Sequence, residues 1–199
     1  MLKRLVPAAA LVLAATAPAF THFNPAEHGS FMTGFGHPLF GLDHVVVMVA
    51  VGLWAATIGG RALWIVPASF VGTMAAGYVL AIAGVALPLV EPAIFASVVA
   101  LGLLIAAAVR LPVGIGAMLV GAFALFHGFA HGEEIGAAGA VTYGLGFALA
   151  TALLHSAGIG IGLVLGSGVG IGKSAAAVLS RVLGGVAAAI GLVLAFGAA

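Results

Sequence analysis

The chain has 199 residues, of which 64% are hydrophobic and 6% are charged, and its formal net charge is +1. An ordinary soluble domain is about one quarter charged, so this composition excludes a water-facing globular surface and predicts a protein whose solvent is lipid. The small net charge gives no basic surface for nucleic acid. Because the sequence contains no cysteine, disulfides, thiolate metal sites and cysteine nucleophiles are excluded as well.

The N-terminus has the pattern of a secretory signal peptide. Two basic residues precede an apolar stretch over residues 5–17, and Ala17-Pro18-Ala19 offers small residues for cleavage. The apolar stretch is shorter than the roughly 20 residues that a transmembrane helix needs. We therefore predict a cleaved signal peptide over residues 1–19, with a retained first transmembrane helix as the alternative.

Six further apolar segments follow, each close to the length of one membrane span. Backbone polar groups in lipid must be satisfied within each segment, so these spans are predicted to be helices. The fold class is therefore all-α, a polytopic membrane helix bundle that forms one six-helix domain over residues 20–199. The predicted spans cover residues 34–58, 62–87, 92–109, 112–130, 138–165 and 175–197.

The charged residues alternate between the two sides of these spans. One side carries the basic residues Arg61, Arg110, Lys173 and Arg181. The other side carries the acidic residues Glu27, Glu91, Glu133 and Glu134. Because basic loops stay in the cytoplasm, the acidic side is predicted to face outwards. Both ends of the mature chain then lie outside the cytoplasm, which agrees with a signal peptide at the N-terminus.

Histidines share helical faces with small residues in three of the spans. Small residues mark the face at which one helix approaches another in lipid, so these histidines are predicted to point into the bundle. The three faces consist of His37, Gly41, His44, Met48, Gly52 and Ala55; of Ala117, Gly121, Ala124, His127, Gly128 and His131; and of Gly144, Ala148, Thr151, His155, Gly158 and Gly162. A further stripe of Gly184, Ala187, Ala188 and Gly191 is predicted to pack within the bundle or between subunits.

Ionisable side chains in these segments predict a metal path. Such groups cost about 2.5–3.5 kcal/mol each on insertion scales and usually mark function. Imidazole and carboxylate together suit nickel, cobalt, zinc and copper. The candidate metal residues are His37, Asp43, His44, His127, His131, Glu134 and His155. The predicted topology places His37 and His131 nearest the outer surface and His155 deepest.

Other interpretations of the same residues stay open at this point. The histidines and Asp43 are also compatible with a proton relay. His155 alone is typical of a hydrogen-bonded packing residue, and Asp43 of a hydrogen-bond partner between helices. His22 and His28, near the exported N-terminus, are candidates for initial metal capture. An enzyme is the weakest interpretation, since no nucleophile stands beside a base.

Three sequence motifs carry a resemblance to a known family. They are His37-Pro38-x-x-Gly41-x-Asp43-His44, Phe126-His127-Gly128-x-Ala130-His131-Gly132-x-Glu134 and Leu154-His155-x-x-Gly158-Ile159-Gly160. With them, essentially the whole chain resembles the HupE/UreJ family of hydrogenase and urease accessory proteins. The resemblance implies a multi-pass nickel permease of the bacterial inner membrane that supplies nickel–iron hydrogenase or urease. It also implies that the candidate residues of the first two motifs belong to the metal path.

The sequence as a whole therefore predicts an importer of Ni²⁺ from the periplasm, with the ion as cargo and no tightly held cofactor. His37 and His131 are predicted to receive the ion. Asp43, His44 and His127 are predicted to form the selective site, with Glu134 as ligand or orienting group and His155 as a deeper relay. The alternatives are transport of Co²⁺ or another divalent metal, and a non-transporting membrane accessory that docks metalloenzyme maturation proteins. The enzyme served, the energy coupling and the oligomeric state stay open.

Overall fold

The structure is a computed structural model that describes residues 30–135 and 139–197. Throughout these ranges the regular elements are helices, and the all-helical prediction is confirmed there. The seven helices are α1 (Phe31–Phe40), α2 (Leu42–Ile58), α3 (Ala62–Ile82), α4 (Val90–Ala106), α5 (Val113–Ile135), α6 (Ala140–Ser167) and α7 (Lys173–Gly197). The predicted signal peptide, His22 and His28 lie outside the described residues.

Several of these helices have the length and composition of membrane spans. The helices α3, α5, α6 and α7 are long and apolar enough to do so, and α1 with α2 passes the same test as one bent span. The helix α4 covers the third predicted span but has 17 residues, which corresponds to about 26 Å against a hydrocarbon core of about 30 Å. A multi-pass membrane bundle is therefore confirmed among the described residues, while the count of six spans stays a prediction.

The first predicted span is not one continuous helix, which corrects the prediction for residues 34–58. The chain bends by 82° between α1 and α2, and Gly41 at the bend has an extended backbone with φ −83° and ψ 116°. A Cβ atom at Gly41 would lie 2.9 Å from Nδ1 of His44 and 3.2 Å from Oδ1 of Asp43. The glycine therefore leaves room for these two side chains at the start of α2.

Reciprocal glycine contacts bring the helices together in pairs. In each contact, a Cβ atom on the glycine would collide with the backbone of the partner helix, so only a hydrogen allows this approach. The pairs are Gly34 and Gly146 between α1 and α6, Gly52 and Gly158 between α2 and α6, Gly77 and Gly128 between α3 and α5, and Gly102 and Gly184 between α4 and α7. The predicted small-residue faces are thus confirmed as packing faces, and the stripe on α7 packs inside the chain against α4.

This packing carries the histidines into the bundle, as predicted from their faces. The exposed fraction is 7% for His44, 0% for His127, and 1% for both His131 and His155. The end of α1, the start of α2, the end of α5 and the start of α6 lie at the same end of the bundle. There His37 meets His131 and Tyr143, with ring centroids 4.6 and 6.2 Å apart. His37 is the exception in burial, because 36% of its side chain is exposed.

The glycine contact between α4 and α7 gives a matched test of this packing. In Gly184→Ala the new methyl group meets the backbone of Gly102 and Ala106, and we expect a loss of about 1–3 kcal/mol in the free energy of unfolding. Gly185→Ala is the control, since nothing lies within 4 Å of its Cβ position. Unfolding in detergent micelles, followed by circular dichroism, measures both; equal stability of the two variants would contradict the close helix contact.

Candidate metal centre

Three histidines from three helices form a cluster at one end of the bundle. His37 comes from α1, His44 from the first turn of α2, and His131 from the last turns of α5. One nitrogen from each ring lies within 4.8 Å of the others. We call this group the three-histidine cluster. It is the one set of three or more potential metal ligands that the described ranges bring this close together.

A carboxylate lies beside each ring of the cluster. Nδ1 of His44 donates to Oδ1 of Asp43 over 2.7 Å. Oε2 of Glu134 lies 3.4 Å from Nδ1 of His131 and 3.9 Å from Nε2 of His37. Asp43 holds the proton of His44 on Nδ1 and leaves Nε2 with a free lone pair, which is the usual arrangement of a metal-binding histidine. Nδ1 of His131 lies near Glu134 but makes no hydrogen bond within the described ranges.

The lone pair on Nε2 of His44 faces the ring of His131. Nε2 of His131 lies 2.6 Å from Nε2 of His44 and donates to it, which leaves Nδ1 of His131 as the ring nitrogen with the lone pair. A proton on Nε2 of His131 therefore lies between the two nitrogens, and a metal ion that replaces it would have both nitrogens as ligands. Two nitrogens bound at a right angle to one ion, each at about 2.0 Å, are about 2.8 Å apart. The cluster can therefore accept a metal ion with small movements of its rings.

His127 lies on α5, one helical turn from His131 towards the middle of the bundle, and it is oriented by Ser97 of α4. The hydroxyl of Ser97 donates to the carbonyl of Ile94 over 2.6 Å. Its oxygen must then accept from Nε2 of His127, which lies 2.9 Å away. This assigns the ring proton to Nε2 and leaves Nδ1, which has no hydrogen-bond partner among the described residues, with a free lone pair.

His155 lies on α6 and is oriented by the backbone of α2. Nδ1 of His155 donates to the carbonyl of Met48 over 2.7 Å, and Nε2 is buried without a partner in residues 30–135 and 139–197. Because Met48 follows His44 by four residues, His155 lies about one turn, or roughly 6 Å, further into the bundle than His44. Phe70 of α3 packs against this ring with 4.9 Å between centroids.

The seven residues predicted from the sequence therefore lie in two layers. His37, Asp43, His44, His131 and Glu134 form the outer end, and His127 and His155 lie about a turn below them. The predicted grouping of His44 with His127 is only partly met. Their rings are edge to face at 5.6 Å, but the bend at Gly41 aims Nε2 of His44 at His131 instead.

Two residues that shape the site were not identified from the sequence as site residues. Gly41 was assigned to a helix face, although its place inside the first motif is a usable signal. Ser97 is one serine within an apolar helix, and neither spacing nor a charged neighbour distinguishes it. Its importance follows only from its position opposite His127.

Comparison with known proteins agrees with the extent of these motifs. The profile described as "HupE / UreJ protein" matches residues 9–194. Protein HupE of Rhizobium leguminosarum bv. viciae is 46% identical over 182 residues, which cover 90% of this chain and 92% of that protein. No solved structure matches the chain.

The neighbouring residues Glu133 and Glu134 on α5 allow a matched test of whether the carboxylate of Glu134 contributes to metal binding. Glu134→Gln keeps the shape of the side chain but removes the charge beside His131 and His37, and we expect nickel affinity to fall about 10- to 100-fold. The control is Glu133→Gln, since Glu133 is exposed and lies about 100° around the helix. Isothermal titration of the purified protein with Ni²⁺ measures both; equal affinities would exclude Glu134 from the site.

Proposed function

The chain belongs to the HupE/UreJ family, and on that premise we propose that it is a membrane permease for a divalent transition-metal ion, Ni²⁺ first among the candidates. The observation that carries the proposal is the facing pair of nitrogens, Nε2 of His44 and Nε2 of His131. A divalent ion in place of the proton between them would join imidazole ligands from two helices, with a nitrogen of His37 within 4.8 Å of both. In this proposal the ion is cargo rather than a resident cofactor, and the protein is not an enzyme.

The charges around the cluster favour a divalent ion. Asp43 and Glu134 contribute two negative charges beside three histidines that are neutral when they act as ligands. A dication bound there is therefore balanced to zero net charge. Balance matters because an uncompensated charge in a low-dielectric interior is strongly unfavourable. A monovalent ion would leave a net negative charge in the cluster.

The ligand types favour release as well as binding. Imidazole nitrogen with nearby carboxylate suits nickel, cobalt and zinc, whereas thiolate ligands, which hold such ions more tightly, do not occur in this sequence. Ligand type alone does not separate neighbouring metals of the series. The choice of Ni²⁺ rests on the family resemblance, and Co²⁺ is the alternative cargo.

The direction of transport follows from the distribution of charge. Arg61, Arg110 and Lys173 lie at connections remote from the cluster, whereas Glu133 and Glu134 lie beside it. The preference of basic residues for the cytoplasm supports a cluster that faces the periplasm across a bacterial inner membrane. Both ends of the mature chain are then periplasmic, and the cluster is the entrance of an import path. The ion would be delivered to hydrogenase or urease maturation.

Uptake of radioactive nickel by cells that depend on this protein tests the proposal. We expect His44→Ala and Asp43→Ala each to lower uptake about ten-fold or more, because each removes a ligand or the group that orients one. Ser167→Ala, at an exposed position near the opposite end of α6, is the control. Excess Co²⁺ or Zn²⁺ in the same assay identifies competing cargo.

The same uptake assay distinguishes a metal transporter from an accessory protein that only docks maturation proteins. A docking protein would lose its activity when residues of the basic connections, such as Arg61 or Lys173, are changed, and would keep it in the histidine variants. Uptake that is unchanged in His44→Ala and Asp43→Ala but abolished by Arg61→Ala would overturn the permease proposal.

A further inference from the structure

Two buried nitrogens below the three-histidine cluster have no hydrogen-bond partner. They are Nδ1 of His127 and Nε2 of His155, and the partner search covers the described part of the chain. The two side chains are 0% and 1% exposed. Buried polar atoms are nearly always paired, so an unpaired one needs a specific explanation. A third such nitrogen, Nδ1 of His131, lies in the three-histidine cluster itself, and these two occur about one turn below it.

Both nitrogens are free because the opposite nitrogen of each ring is held. Nε2 of His127 donates to Ser97, and Nδ1 of His155 donates to the carbonyl of Met48. Each neutral ring therefore has a fixed tautomer with an available lone pair, which is the state in which imidazole binds a metal. The anchoring groups come from α4 and α2, so the packing of the bundle itself fixes both tautomers.

The two rings lie around one aromatic side chain. Phe70 is 4.9 Å from His155 and 5.7 Å from His127 between ring centroids. His127 also meets His44 edge to face at 5.6 Å. His127 is therefore adjacent to the three-histidine cluster, and Phe70 contacts both rings of the pair.

We propose that Nδ1 of His127 and Nε2 of His155 form a second station for the transported divalent ion, separate from the three-histidine cluster. This inference rests on the proposed function. The ion pairs between carboxylates and histidines in the described ranges involve His37, His44 and His131. None of them involves His127 or His155. A dication at the second station is held by two neutral ligands with less charge compensation. The station therefore binds weakly and passes the ion on, whereas the cluster captures it.

Ser97 is a positioning residue for this station. Its hydroxyl holds the proton of His127 on Nε2, so Ser97→Ala frees the ring to adopt the other tautomer and to turn its lone pair away. Loss of such a partner typically weakens a histidine ligand about 10- to 100-fold. The effect should appear in the rate of transport and not in the capture of the ion at the cluster.

A cysteine placed at the second station reports directly whether metal reaches it. In His155→Cys, the single thiol of the chain replaces one ligand, and thiolate binds cobalt well. We expect Co²⁺ added to the purified full-length protein to give cobalt–thiolate charge-transfer absorption, which weakens when His127→Gln is added. Ser156→Cys, at the next and exposed position of α6, is expected to give no such band. A folded His155→Cys protein without the band would overturn the second station.

Ser97→Ala provides a second test, by transport kinetics, that does not depend on the folding of His155→Cys. We expect Ser97→Ala to lower the maximal rate of nickel uptake about ten-fold with KM and nickel binding by the purified protein unchanged, and Ser156→Ala to match the wild type. A wild-type rate in Ser97→Ala, or a loss of nickel binding together with the rate, would overturn the role of Ser97. Failure of the proposed function is distinct, because uptake would then be insensitive to His44→Ala whatever the cobalt spectrum shows.

Discussion

A neutral imidazole ring buried in a helix bundle has one N–H to donate and one lone pair that can accept, and the rest of this structure depends on which groups pair with these two nitrogens. The N–H groups of His44, His127 and His155 are each held, by a carboxylate, a serine hydroxyl and a backbone carbonyl in turn. The lone pair of His44 accepts from His131, and those of His127, His131 and His155 have no partner in the described part of the chain. A bundle that used these rings only for packing would be expected to pair both nitrogens. The arrangement instead favours a mobile cation that completes the coordination as it passes.

Close helix packing makes this arrangement possible. The contact of Gly52 with the backbone of His155, and of Gly158 with the backbone of Val49, brings α2 and α6 close enough for His155 to reach the carbonyl of Met48. In lipid, such packing replaces the hydrophobic effect as the source of helix association. The many glycines of the chain therefore act on function indirectly, because they set the distances between the helices that carry the histidines.

Much of this architecture was predictable from the sequence, and the remainder has identifiable physical causes. Hydropathy located the helices to within a few residues, and the period of 3.6 residues showed which faces of α2, α5, α6 and α7 are buried. The bend at Gly41 was missed, since apolar residues continue through it and hydropathy does not register backbone direction. Ser97 was missed because a hydrogen bond between two helices depends on their pairing, which a sequence of uniformly apolar spans does not encode locally. The metal roles of the candidate residues stay predictions.

X-ray absorption of nickel-loaded protein tests the central claim most directly, because it reports the atoms around the metal itself. The account predicts nitrogen and oxygen ligands with the outer-shell scattering of at least two imidazole rings, and a loss of that scattering when His44 and His131 are both changed to alanine. A nickel site surrounded by oxygen alone, or a spectrum that the double variant leaves unchanged, would contradict the claim that these histidines bind the ion.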